Sequence, residues 1–171
     1  NDTARGWFRR LQLEDGEWAI NEALCGIHST ALRAEDFQIM TDHGASMVWS
    51  PLSNYLLYGA TVDIRAAKEA GILMGIGSDW APSGSKNLLG ELKVAWLASE
   101  EKGGVYTAEE LVAMATIDAA RILKWEAQLG SLEVGKRADI IAVNGQKGDA
   151  CKRLIEARET SITLAVINGF P

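Results

Sequence analysis

The stretch ILMGIGSD at residues 72–79 is a short, almost wholly apolar run that ends in an acidic residue. Two similar runs precede it, at residues 23–28 and 45–50. Each run is followed by a helical pattern, at residues 34–43, 62–70 and 87–102. Short apolar strands that alternate with amphipathic helices are typical of βαβ units, whose parallel sheet is covered on both faces. The sequence therefore predicts an α/β fold.

The second half of the chain has a different pattern. Thr107 and Glu110 form a capping-box signature, which predicts a helix start, and residues 117–123 predict a further short helix. A turn-rich β-segment is predicted at 130–136, and strands are predicted at 138–143 and 161–167. Because two strands alone do not form a stable sheet, we expect this tail to pair with another segment. Residues 1–22 show no clear periodicity.

Composition excludes several classes of protein. The chain has 171 residues, of which 47% are hydrophobic and 23% charged, which is typical of a globular protein and not of a disordered one. Its net charge of −6 argues against binding to nucleic acid or to an anionic membrane surface. No apolar run approaches the ~20 residues of a membrane span. The two cysteines, Cys25 and Cys151, do not make a disulfide framework, so we expect a cytoplasmic protein.

The candidate site lies where the apolar runs end, because parallel α/β folds bind ligands at the carboxyl ends of their strands. His28 is either a half-buried histidine bonded to the backbone, or a metal ligand or general base. Asp79 is either a turn or cap aspartate, or a carboxylate that binds a divalent cation and relays protons. Together they form only half of a zinc site, since zinc needs at least three protein ligands.

Three further residues are candidates for substrate binding. Trp80 follows Asp79 directly, where its ring either seals the rim of the fold or offers a flat apolar wall to a ring-shaped substrate. Ser53 and Asn54 follow the second apolar run and supply polar groups at the same edge of the predicted sheet.

These segments resemble, in order, motifs of the amidohydrolase superfamily, the metal-dependent TIM-barrel hydrolases and deaminases. Residues 26–32 (GIHSTAL) resemble the sixth-strand motif, and residues 44–54, which end in SPLSN, resemble the next one. Residues 75–79 (GIGSD) resemble the eighth-strand motif, whose aspartate binds the metal. Further similar segments lie at 87–92, 115–121 and 130–139. The branch resembled is that of chlorohydrolases, cytosine and guanine deaminases and related C–N hydrolases.

The resemblance implies a fold and a chemistry. Residues 1–125 would contribute strands six to eight of a (β/α)8 barrel, and residues 126–171 part of a small β-sandwich domain. Asp79 would be a metal ligand and proton shuttle. His28 would orient and polarise the attacking water in a mononuclear enzyme, or bind metal in a binuclear one. The implied cofactor is a divalent metal, zinc first and iron as the alternative, and the implied substrate is a small molecule such as a nitrogen heterocycle.

Departures from the family pattern limit what is transferred. The chain has only two histidines and no His-x-His pair, Ala31 stands where many relatives have a second histidine, and Trp80 stands where many have glycine. We therefore expect the C-terminal part of a longer enzyme, which is inactive alone and in which the metal is absent or incompletely held. A complete barrel takes ~250 residues, so we expect pairing with an upstream part or homo-oligomerisation. The alternative is a non-catalytic, metal-free α/β interaction or structural module.

Overall fold

Three parallel strands form the central sheet of the computed structural model, which describes residues 2–145 and 147–171. They are β1 (Cys25–Ile27), β2 (Ser46–Trp49) and β3 (Leu73–Ile76), in the order β1-β2-β3. Ile27 pairs with Val48, and Trp49 pairs with Ile76, so the carboxyl ends of all three strands reach the same edge of the sheet. The predicted α/β fold with a parallel sheet is confirmed, although each strand is shorter than predicted.

Eight α-helices are present within the described ranges. They are α1 (Asp2–Arg9), α2 (Ala34–Asp42), α3 (Pro51–Tyr58), α4 (Ile64–Ala70), α5 (Leu88–Glu101), α6 (Ala108–Met114), α7 (Ile117–Ile122) and α8 (Ala150–Glu156). The sequence predicts α2 and α4 to α7, but not α1, α3 or α8. The capping box is confirmed, because Thr107 Oγ1 accepts from the Glu110 N–H at 3.2 Å and Glu110 Oε2 accepts from the Thr107 N–H at 2.7 Å.

The hydrophobic core lies between the sheet and its helices. Met47 and Trp49 on β2 are fully buried, and because side chains alternate along a strand they lie on the same face of the sheet. They pack in one cluster with Phe37 of α2, Ile64 of α4 and Leu111 of α6. This layer therefore packs against β2, the middle strand of the sheet.

A buried ion-pair cluster around Asp36 joins helix α1 to α2. The Asp36 carboxylate is fully buried and accepts from Arg5 Nε at 2.6 Å, and Arg9 Nη2 lies 2.6 Å from its other oxygen. The backbone N–H of Arg33 donates to the same carboxylate at 3.0 Å. The N-terminal segment, whose sequence shows no clear periodicity, thus contains a helix that ion pairs hold against α2.

The C-terminal strands are β4 (Ile140–Val143) and β5 (Ile162–Val166), which pair antiparallel. The predicted β-segment at 130–136 is wrong, because this stretch forms turns in which Gly130 and Gly135 take left-handed φ values of 96° and 95°. Between β4 and β5, α8 packs against α5 and α6 and buries Ile155 in the main core. No helix in the described part of the chain is long and apolar enough to cross a membrane.

Candidate active site

Helix α3 supplies most of the groups around the candidate site. Ser50 follows β2 and is the N-cap residue of the helix, Pro51 occupies its first turn, and Gly59 ends it with φ 72°. Proline at a helix start and glycine just past its end are helix-boundary signals, so the pair could have revealed α3 from the sequence. The SPLSN motif is therefore a strand end followed at once by a helix.

The structure brings His28 and Asp79 together. His28 follows β1 directly, Asp79 lies three residues after β3, and His28 Nε2 is 3.6 Å from Asp79 Oδ2. The two side chains are 19% and 28% exposed, so both remain accessible to a small ligand. Two residues that are 51 positions apart in sequence thus share one small site at the carboxyl edge of the sheet.

Asp79 is held as a carboxylate by two hydrogen bonds. Ser53 Oγ donates to Asp79 Oδ2 at 2.6 Å, and the Trp80 backbone N–H donates to Oδ1 at 2.9 Å. The Ser53 hydroxyl, followed by the Trp80 N–H, lowers the pKa of Asp79 below its ordinary value. Hydrogen bonds to the ionised form of a carboxyl group have this effect.

His28 is held by Asn54 and Tyr58, which lie one turn apart on α3 and therefore on the same face. Asn54 Oδ1 is 2.9 Å from His28 Nδ1. The Tyr58 ring meets the imidazole edge-on, with 5.7 Å between ring centroids. The ring nitrogen left over, Nε2, is the one that faces Asp79.

The three residues predicted to bind substrate lie in two environments. Ser53 and Asn54 are fully buried beneath the site, and their polar atoms are engaged with Asp79 and His28. The Trp80 side chain is 67% exposed on the loop after β3. Substrate contact by any of the three stays a prediction, and the burial of Ser53 and Asn54 favours a supporting role for them.

The backbone is strained at the site. His28, Ser29 and Asp79 have φ values of 63°, 51° and 58°, in the left-handed region that non-glycine residues rarely adopt. The loop after Asp79 is tightly closed: the Ser85 N–H donates to the Ser78 carbonyl at 3.1 Å, and a Cβ on Gly84 would lie 2.0 Å from that oxygen. Such strain persists where surrounding structure enforces it, and it concentrates at functional sites.

Glu91 of α5 is a buried acid that sequence reasoning missed. Its Oε1 accepts from the Leu52 N–H at 2.9 Å, in the first turn of α3, and its Oε2 has no hydrogen-bond partner among the described residues. Burial raises the pKa of Glu91, although Ser85 and the Leu52 N–H act against this effect. The sequence feature that could have indicated the burial of Glu91 is its position one turn before Ala95, on the apolar face of α5.

The residues present do not complete a metal centre. Histidine nitrogen and carboxylate oxygen are suitable zinc donors, but structural and catalytic zinc sites use three or four protein ligands. Across residues 2–145 and 147–171, no group of three His, Cys, Asp or Glu side chains is placed to hold a metal ion. The chain thus supplies two possible metal ligands, His28 Nε2 and Asp79 Oδ2, which is fewer than zinc needs.

An open groove of about 360 Å³ lies beside the pair. His28 and Tyr58 form one side of it, and apolar side chains that include Phe8 and Leu24 form the other. Its size is in the range of small-molecule sites, and its lining is mostly apolar with a few polar groups.

Comparison with known sequences gives consistent matches. A model of the amidohydrolase family matches residues 15–169. The chain is 34% identical over 125 residues to the 5-methylthioadenosine/S-adenosylhomocysteine deaminase of Symbiobacterium thermophilum, and the aligned region covers 70% of this chain and 29% of that protein. It is 33% identical over 129 residues to the S-triazine hydrolase of Gordonia rubripertincta, and this alignment covers 73% of this chain and 27% of that protein. The chain thus spans less than a third of the length of these relatives.

Solved structures agree with these matches. An adenosine deaminase from Xanthomonas campestris with bound zinc superposes with a TM-score of 0.81 and 26% identity, over 89% of this chain and 37% of that one. The atrazine chlorohydrolase of Arthrobacter aurescens, complexed with zinc, superposes with a TM-score of 0.78 and 28% identity, over 92% and 37%. The family match covers most of the chain, and it confirms the resemblance seen in the sequence motifs. The chain belongs to the amidohydrolase family.

Proposed function

We propose that this chain is the C-terminal part of a divalent-metal-dependent hydrolase that acts on non-peptide C–N bonds, as deaminases and amidohydrolases do, or performs the related chlorohydrolase reaction. The observation that carries the proposal is the 3.6 Å approach of His28 Nε2 to Asp79 Oδ2 at the carboxyl edge of the sheet. Relatives named as deaminases and as a triazine hydrolase support the reaction class. Zinc in two structural neighbours supports the metal, with iron as the alternative.

The proposed roles follow from the contacts. In the whole protein a divalent metal would supply a Lewis acid that lowers the pKa of water to about 7. Asp79 would be one ligand of that metal, and its carboxylate would take a proton from the attacking water and return it to the nitrogen of the leaving amine. Ser53 keeps this carboxylate ionised before the reaction. His28 accepts a hydrogen bond from the water at Nε2 and orients it.

The proposed substrate is a small molecule, and a nitrogen heterocycle is the class we favour. The relatives are named for methylthioadenosine, S-adenosylhomocysteine and triazines, all of which contain such rings. The exposed Trp80 ring gives a flat surface next to Asp79, on which a planar ring can stack. The groove beside His28 has room for the rest of such a molecule.

The proposed architecture makes β1, β2 and β3 the sixth to eighth strands of a (β/α)8 barrel, with residues 1–125 in the barrel and 126–171 in a β-sandwich domain. Strand β1 is an edge of the sheet, and Ile27 on it is exposed, so this edge has unpaired backbone groups and apolar surface. We propose that an upstream strand of the same protein covers it, or a second copy of the chain. Location in the cytoplasm remains part of this proposal and rests on the free Cys25 and Cys151.

The chain alone should be inactive, because it contributes two donors to a site that needs at least three. A non-catalytic, metal-free module is the second candidate, and the lack of a three-ligand group among the described residues favours it for the isolated chain. Metal analysis separates the two candidates. Stoichiometric zinc bound by the chain alone would exclude the metal-free module and would also remove the reason for expecting the chain to be inactive.

The decisive experiment concerns the full-length protein. Its upstream sequence should contain a His-x-His pair and one further histidine, and the purified protein should contain divalent metal and release ammonia or chloride from a panel of adenosine-type and triazine substrates. His28→Gln and Asp79→Asn should abolish this release. His43→Gln is the matched control, because the other histidine bonds only a helix carbonyl, that of Ile39. An upstream sequence without these histidines, or full activity in His28→Gln, would refute the proposal.

A further inference from the structure

We propose that Glu91 is a positioning residue of this site, which caps helix α3 from the neighbouring helix α5 and thereby keeps Ser53 in contact with Asp79. The proposed function leaves Glu91 without a role. The inference rests on that function only for its effect on turnover, because the contacts themselves can be measured in the chain without any activity.

The start of α3 lacks a cap from its own sequence. Ser50 is the N-cap residue, but its side chain makes no capping hydrogen bond. Pro51 has no backbone N–H, so the first N–H of the helix is that of Leu52. The first N–H groups of a helix have no partner within it, and they need an acceptor where water is excluded. Leu52 is half-buried, so its N–H needs an acceptor from another part of the chain.

Glu91 supplies that acceptor. Its Oε1 lies 2.9 Å from the Leu52 nitrogen. A backbone N–H only donates, so the direction of this hydrogen bond is the same whether the Glu91 carboxyl group is ionised or neutral. Because Glu91 is fully buried, water does not compete for the contact.

The first turn of α5 fixes the position of Glu91. Asn87 caps this helix, and its Oδ1 accepts from the Gly90 N–H at 3.0 Å. Ser85 lies against the same turn, because a Cβ on Gly90 would be 3.3 Å from the Ser85 Cβ. Ser85 also closes the loop that carries Asp79, by a backbone hydrogen bond of 3.1 Å across its base. Glu91 is thus joined to α3 by its carboxyl group and to the Asp79 loop by the turn in which it lies.

The capped turn of α3 carries the residue that holds Asp79. Ser53 follows Leu52 directly, and its Oγ donates to Asp79 Oδ2 at 2.6 Å. Hydrogen bonds weaken steeply as they lengthen or bend, so a shift of this turn by about 1 Å breaks the contact. Glu91 therefore acts on Asp79 through the backbone of Leu52 and the hydroxyl group of Ser53.

The test is NMR of the labelled 171-residue chain. In the wild type the Leu52 N–H should be protected from hydrogen exchange, and the Ser53 hydroxyl proton should give a slowly exchanging signal, because Glu91 and Ser53 are fully buried. Glu91→Leu keeps a side chain of similar volume and removes the acceptor. The Leu52 N–H should then exchange at least about fivefold faster, the equivalent of one ordinary hydrogen bond, and the Ser53 hydroxyl signal should be lost.

Two controls separate a positioning role from a merely structural one. Glu91→Gln keeps an acceptor and should keep both signals. Leu92→Ala removes buried apolar groups from the next residue of α5, which is 2% exposed. It should destabilise the fold but leave the Ser53 hydroxyl signal in place. The amides of β2 report global unfolding in every sample, so exchange at Leu52 is measured relative to them.

Three outcomes would overturn the inference. The first is a wild-type Leu52 N–H that exchanges like an unprotected amide, and this measurement needs no variant to fold. The second is a folded Glu91→Leu variant that keeps the Ser53 hydroxyl signal. The third is loss of that signal in Leu92→Ala as well, which would show that any destabilisation of α5 has the same effect.

The same variants of the full-length protein separate this inference from the proposed function. With 5-methylthioadenosine or a chlorotriazine, Glu91→Leu should lower kcat at least about tenfold and change KM less than about threefold, because a displaced Asp79 slows the reaction and not binding. Glu91→Gln and Leu92→Ala should keep kcat within about threefold of the wild type. If the wild type has no hydrolase activity while the NMR results are as expected, the proposed function fails and the role of Glu91 in capping α3 stands. If the wild type is active but Glu91→Leu keeps the Ser53 signal or the wild-type kcat, the inference fails and the proposed function stands.

Discussion

Replacement of Asp36 by asparagine should destabilise the fold by about 3 kcal/mol. The Asp36 carboxylate is fully buried and receives the guanidinium groups of Arg5 and Arg9 and the backbone N–H of Arg33. Removing one partner of a buried ion pair typically costs about 3–5 kcal/mol, because the other charge is left buried and uncompensated. Here the arginine side chains are 18% and 39% exposed, so they regain water and the cost falls at the lower end.

The destabilisation should depend on pH in a definite direction. Burial alone would raise the pKa of Asp36, but the hydrogen bond from Arg5, the N–H of Arg33 and the charge of Arg9 together lower it. The unfolded chain therefore binds this proton at a higher pH than the folded protein. The stabilisation by Asp36 is complete above the unfolded pKa of about 3.9 and is lost as the pH falls through the lower folded value.

Urea unfolding of wild type and Asp36→Asn, from pH 7 into the acid range, measures both effects. The difference in unfolding free energy should be about 3 kcal/mol at neutral pH and should shrink at acid pH. The wild-type midpoint temperature should exceed that of the variant by about 6–12 °C. Glu35→Gln is the matched control: Glu35 also pairs with Arg5 but is exposed, so its loss should matter little. A difference below about 1 kcal/mol, or one that does not change with pH, would refute this account.

Three further substitutions test other parts of the structure. Lys124 has φ 59° just after α7, where glycine is preferred, so Lys124→Gly should stabilise by about 1 kcal/mol and raise the calorimetric midpoint by about 2–4 °C. Gly84→Ala would put a methyl group 2.0 Å from the Ser78 carbonyl oxygen and should cost about 1–3 kcal/mol in urea unfolding. Glu91→Ala leaves the Leu52 N–H without its acceptor and should lower the free energy of unfolding by about 2 kcal/mol. Glu91→Gln keeps an acceptor and should lower it by less in the same assay.

The sheet and the strand-end residues were predictable because their signals are local. A run of apolar residues marks a buried parallel strand wherever it occurs, and the polar residue that follows it lies at the ligand-binding edge. This reasoning identified His28 and Asp79 from the sequence, and the structure brings them within 3.6 Å. The turn-rich β-segment predicted at 130–136 forms turns without a strand, because Gly130 and Gly135 turn the chain.

The support around the site was harder to predict because its contacts are distant in sequence. Asn54 meets His28 across 26 residues, and Leu52 meets Glu91 across 39. No short-range sequence pattern indicates which residues so far apart will form a hydrogen bond. The start and end of α3 were locally encoded by Pro51 and Gly59, but a helix that begins directly at a strand end reads at first as the continuation of the strand.

The geometry explains why α3 and the strained backbone belong together. His28 and Asp79 follow strands β1 and β3, which are separated by β2 and so by roughly 10 Å. Their side chains nevertheless approach to 3.6 Å, which requires both to turn across the end of β2. The left-handed conformations at both positions provide that turn, and Asn54 and Ser53, on the helix that begins where β2 ends, hold the two side chains there. The strain at His28 and Asp79 is therefore a requirement of a site built across three strands, offset by hydrogen bonds from the helix that follows the middle one.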